Sequence, residues 1–94
     1  MTSLDVFNKL KKNNLISDYW KYVLVMLGNQ YAISEKLMKL FCLFFSLIDD
    51  GNICISLDAK ILKEKWAKKI QTVAEPDDTN YDKIIDDGIL EIKK

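Results

Sequence analysis

The sequence predicts a mainly α fold, a small bundle of four to five helices in one domain spanning residues 1–94. Three observations lead there. Nearly half of the 94 residues are apolar and under a third are charged, the balance of a chain with a real core. The apolar residues recur at helical spacing over most of the length. Turn and cap residues punctuate the runs at intervals of one short helix each.

Ser3, placed before Leu4, Val6, Phe7 and Leu10, is the expected cap of a first helix that ends in Lys11-Lys12-Asn13-Asn14, where the lysines suit the helix dipole. A second helix is expected from about Ser17 to Leu27. It carries Tyr19, Val23 and Met26 on one side and Trp20, Leu24 and Leu27 on the next, and Gly28-Asn29 breaks it. The third, from Ser34 to about Ile48, is apolar around nearly its whole circumference. Lys36, Lys39 and Ser46 share one line along it and form its expected wet stripe, so the rest must be covered by the domain or by a partner. Ser34 is followed three residues on by Leu37 and not by Glu or Gln, so it acts as a simple cap without a capping box.

Asp49-Asp50-Gly51 closes that helix, and residues 52–57 alternate polar and apolar as a short strand does. Asp58 caps a fourth helix with Leu62, Trp66, Ile70 and Val73 on one face. After the turn at Glu75-Pro76-Asp77-Asp78, one or two helical turns around Tyr81, Ile84 and Ile85 run to a second Asp-Asp-Gly at 86–88. Each Asp-Asp-Gly precedes an Ile-rich stretch, Ile53–Ile55 and Ile89–Ile92. The two can pair as a short antiparallel β-ribbon, which gives a winged-helix-like alternative to the plain bundle.

The composition excludes several functions. Fourteen lysines balance fourteen carboxylates, so no net field draws the domain to nucleic acid or to an acidic membrane. There is no Arg, the residue whose planar fork reads guanine and clamps phosphate. There is no His, which removes the usual neutral-pH base and every Ser-His-Asp or Cys-His triad within this chain. Cys42 and Cys54 lack the further ligands of a common zinc site and are expected as reduced core residues. The Asp pairs 49/50, 77/78 and 86/87 are expected as solvated caps and turns. A calcium loop begun at Asp49 would end on Lys60 in place of Glu, and the three single glycines make no phosphate-cradling loop. Neither a leader nor an apolar run near the roughly 20 residues of a membrane span is present, so a cytoplasmic protein without membrane contact is expected. The segment itself is expected to hold no catalytic site, cofactor or metal.

Function by binding remains. Tyr19, Trp20, Met38 and Phe45 are the candidate partner contacts, each on a helix flank that the first helix alone does not cover. Lys63, Lys65, Lys68 and Lys69 on the fourth helix are candidate phosphate contacts for the winged-helix-like DNA-binding alternative. A free-standing small dimeric regulator is the third reading.

One motif carries a resemblance. The stretch Leu43-Phe44-Phe45-Ser46-Leu47-Ile48-Asp49-Asp50-Gly51-Asn52-Ile53-Cys54-Ile55-Ser56-Leu57-Asp58 resembles the N-terminal domain of RecD, the alpha subunit of exodeoxyribonuclease V. There an apolar helix runs into a Gly-His-Val-Cys-Leu-x-Leu segment and then another helix. Gly51, Ile53, Cys54, Ile55 and Leu57 match in type, and Asn52 stands where His is common. The opening, Leu4-Asp5-Val6-Phe7 followed by an aromatic-rich helix, is similar as well. The resemblance implies a docking domain that holds a helicase subunit to a RecC-like partner. The parent would be an ATP-dependent 5′-to-3′ DNA helicase of a helicase-nuclease in double-strand-break repair. Its ATP and Mg would be bound by motor domains beyond Lys94, and DNA would be met through the parent complex.

Overall fold

The computed structural model describes residues 2–51, 58–71 and 79–93, and these hold five helices and no strand. They are α1 (Ser3–Lys12), α2 (Tyr19–Gln30), α3 (Glu35–Asp49), α4 (Ala59–Ile70) and α5 (Tyr81–Lys93). The mainly α bundle expected from the sequence is the fold. Helix α3 is the centre, with α1, α2 and α5 packed around it and α4 laid against α5. Its near-continuous apolar surface requires this: Leu40, Cys42, Leu43 and Leu47 are buried together with Val6, Phe7 and Leu10 of α1, Leu24 of α2 and Ile85 and Ile89 of α5.

The first helix begins one residue earlier than the sequence suggested. Thr2 is the cap, in a full capping box: its hydroxyl accepts from the Asp5 N–H at 3.3 Å, and its own N–H donates to Asp5 Oδ2 at 2.9 Å. The bond from the Thr2 N–H, and next the Thr2 side chain, hold the Asp5 carboxyl below its usual pKa. Ser3 is instead buried, its N–H donating to Glu35 Oε2 at 2.7 Å and its carbonyl accepting from the Cys42 thiol. Asn14, at φ 58°, turns the chain back so that Leu15 and Ile16 reach the core.

Two glycine-containing sequences read as breaks lie inside helices. Helix α2 continues through Gly28-Asn29 to Gln30, because Gly28 meets Met38 of α3: a Cβ there would stand 3.1 Å from Met38 Cε. Helix α5 continues through Asp86-Asp87-Gly88 to Lys93, so Ile89–Ile92 are helical and unavailable to a ribbon. Its expected partner strand, Ile53–Ile55, lies outside the described residues, as do Val73, Cys54 and the turn at 75–78. Gly88 is in a helix because α5 crosses Leu40 there with no room for a side chain. By contrast Gly51, at φ 87°, does end α3 as expected, and Ser34 and Asp58 cap α3 and α4.

The connection from α2 to α3 contains one strained residue, Ala32, at φ 48°. An L-residue with a Cβ is disfavoured there by about 1 kcal/mol, and glycine is not. Ala32→Gly is therefore expected to raise stability by about 0.5–1 kcal/mol in urea unfolding, against the usual loss for Ala→Gly. A loss of stability would mean that Ala32 does not hold this conformation.

Candidate docking face

Helix α2 covers only part of itself. Leu24 is its one fully buried side chain; Trp20 and Gly28 meet α3, and Val23 and Leu27 are half-buried. The other side is apolar and open: Tyr19 is 66% exposed, Tyr22 79%, and Val25 and Met26 nearly half. These four lie within two turns at spacings of three and four, on one face, with Asp18 and Lys21 at its edge. The two sides foreseen for this helix are thus regrouped. Val23 is half-buried, and Tyr19 and Met26 share the outer face with Tyr22 and Val25.

The face is held rigidly at its start. Trp20 stacks on Phe45 of α3 with centroids 4.4 Å apart and planes 6° from parallel, and Tyr19 meets Trp20 edge-on at 5.3 Å. Asp49, the last residue of α3, fixes the stack. Its Oδ1 accepts from the Trp20 indole N–H at 2.8 Å and its Oδ2 from the Ser17 N–H at 2.8 Å. Across the loop, Lys11 pairs with Asp18 at 3.2 Å. Asp49 is exposed, as its place in Asp-Asp-Gly suggested, and it also ties two helices together.

Three of the four candidate contacts come together, since Tyr19, Trp20 and Phe45 form one aromatic cluster at the top of α2. Met38 does not join them: it is 7% exposed and packed on Gly28 in the core. Tyr22, Val25 and Met26 were not singled out as contacts from the sequence. The signal was there, because two strongly apolar helices in a 94-residue chain are hard to cover completely, and α3 takes the centre.

No family model matches this chain, and no curated protein and no solved structure matches it either. Its function is therefore read from its own surface.

That surface offers little chemistry. Cys42 is buried, free and pushed up to about 12 by desolvation and then by Glu35, so its thiol stays protonated at neutral pH and is no nucleophile. Among the described residues no group of three or more His, Cys, Asp or Glu is arranged to hold a metal, and no helix is long and apolar enough to cross a membrane. The α4 lysines do not form one phosphate-binding surface. Lys63 pairs with Asp86 of α5 at 2.9 Å, which raises its pKa. Lys69 is only 8% exposed, donating to the Ser46 carbonyl at 2.6 Å and to Asp50 Oδ2 at 2.8 Å, so it is a tie between α4 and the end of α3. Lys68 is exposed and Lys65 half-buried. Ser46, expected on the wet stripe of α3, is fully buried, its hydroxyl donating to the Leu15 carbonyl.

Proposed function

We propose that this domain works by binding another protein through the outer face of α2, as the docking domain of a RecD-like helicase subunit that meets a RecC-like partner. One observation supports docking above all: Tyr19, Tyr22, Val25 and Met26 present a contiguous apolar strip on a helix that α3 pins from behind. Exposed tyrosines backed by a rigid aromatic stack are the usual anchors of an interface, since they bury large area at small entropic cost. The identity of the partner rests on the motif at 43–58 and on nothing else. In this reading the protein is cytoplasmic, the motor domains and their ATP and Mg lie outside the segment, and DNA is handled by the assembled complex.

The test is light scattering coupled to size-exclusion chromatography, with the domain alone and mixed with a RecC-like subunit from the same source. A folded monomer that shifts to a one-to-one complex is expected. Tyr22→Asp should weaken that complex by about 30-fold or more, the loss of one anchor worth about 2 kcal/mol, with the helical circular dichroism unchanged. No complex with the wild-type domain sinks the RecC assignment, and a stable dimer of the domain alone would favour the small-regulator reading instead. The winged-helix reading lacks the strand it needed at Ile89–Ile92.

A further inference from the structure

A second concavity lies on the other side of α3, away from the face just described, between the first turns of α3 and α5. Lys36 and Lys39 from α3 and Lys83 from α5 line it, with Asn80 at the start of α5 and the buried Ile84 beneath, around a volume of 390 Å³. Among the described residues these three ammonium groups take part in no hydrogen bond or ion pair, whereas Lys11, Lys63 and Lys69 each have a carboxylate partner. A fourth, Lys9 of α1, donates to the Thr79 hydroxyl at the rim at 2.9 Å. Against them stands Asp87 in the cleft and, next to Thr79 in the sequence, Asp77 and Asp78. In a chain with zero net charge, a half-enclosed site lined by three cations and one carboxylate is an imbalance that a bound anion would relieve.

The kind of anion follows from the donors. The planar Arg fork that holds carboxylates and phosphates bidentately is absent from this chain, so the cations of the cleft are all ammonium groups. Lys acts as a point charge with freely turning donors, and a tetrahedral phosphate, with charge on several oxygens, can meet two or three such groups at once. Asn80 adds a neutral donor, because its Oδ1 is taken by the Lys83 N–H at 3.1 Å and its amide NH₂ remains to give. We infer that the cleft of Lys36, Lys39 and Lys83 binds a phosphate group, carried either by a free polyphosphate or by the backbone of a single-stranded nucleic acid. This site is independent of the docking face of α2, so either can fail without the other.

The experiment is a nuclear magnetic resonance titration of the isotopically labelled 94-residue chain, run in parallel with inorganic pyrophosphate and with a short oligothymidylate at two salt concentrations. Saturable shifts at the amides of Lys36, Lys39, Asn80 and Lys83 are expected. The double variant K36Q/K83Q should weaken binding about tenfold, equivalent to 1.4 kcal/mol, and K60Q/K65Q on α4 should not. If K36Q/K83Q does not fold, K39Q alone gives the same reading with a smaller effect. Saturation by pyrophosphate alone identifies a free polyphosphate. Tighter binding of the oligonucleotide, falling steeply with salt, identifies a strand. Absence of shifts at these residues overturns the assignment. So does equal weakening by K60Q/K65Q, which marks diffuse attraction, or tighter binding of a polyglutamate peptide, which marks an acidic protein.

Discussion

Gly88→Val is expected to cost about 3 kcal/mol and lower the melting temperature by about 15 °C, the upper end of what overfilling a core usually costs. The reason is the crossing of α5 over α3. A Cβ on residue 88 would stand 2.5 Å from Leu40 Cβ and 2.7 Å from Leu40 Cδ2. Real carbon contacts do not come that close, and Leu40 is fully buried with its first side-chain carbon fixed by the α3 backbone. A rotamer change cannot clear it, so the helices must separate, and the contacts of Ile85 and Ile89 on either side of Gly88 loosen with them. Gly88→Ala is the gentler control. It meets the same Cβ clash without the two γ-methyls of Val and recovers about 1 kcal/mol of helix propensity, so its net cost should be smaller, about 2 kcal/mol or less. Melting followed by circular dichroism checks both. A valine variant within about 3 °C of wild type would mean that α3 and α5 do not cross at this distance.

The same residue explains where sequence reasoning succeeds and where it stops. Caps are local chemistry, and Ser34 and Asp58 were legible because their side chains bond to N–H groups two or three residues away. Helix periodicity is also local, which is why the five-helix count was within reach. Gly28 and Gly88 were misread because a glycine that ends a helix and a glycine that lets another helix approach look alike until the neighbour is known. The ties made by Lys69, Asp49 and Ser46 were missed in the same manner. Ser46 and Lys69 are drawn out of water and Asp49, though exposed, is held, each by a bond to a residue more than twenty positions away, and no pattern within its own helix announces that partner. The candidate site was half legible for a related reason. Tyr19 and Trp20 at the start of α2 are legible as flank residues that the first helix alone does not cover, but which side of this strongly apolar helix stays open depends on which side α3 occupies.

Met38 and Tyr22 separate those two sides by experiment. Met38→Ala is expected to cost about 2–5 kcal/mol in urea unfolding, because it removes a buried side chain from the seam between α2 and α3 and leaves a void against Gly28. Tyr22→Ala, at a site 79% exposed, should change stability by no more than about 0.5 kcal/mol. The order reverses for partner binding. Under conditions where both variants remain folded, Tyr22→Ala should lose affinity, whereas Met38→Ala should bind with an affinity near that of the wild type, since Met38 is buried in the seam and offers a partner almost no surface. Adding Gly28→Ala to the Met38 variant is expected to return about 1 kcal/mol, from helix propensity and from a methyl group placed where Met38 Cε had been 3.1 Å away. If Met38→Ala leaves the urea midpoint unchanged but abolishes binding, Met38 belongs to the docking face and the packing of α2 on α3 is other than described. If both variants lose affinity in proportion to their lost stability, binding reads the fold of α2 as a whole and not its outer strip.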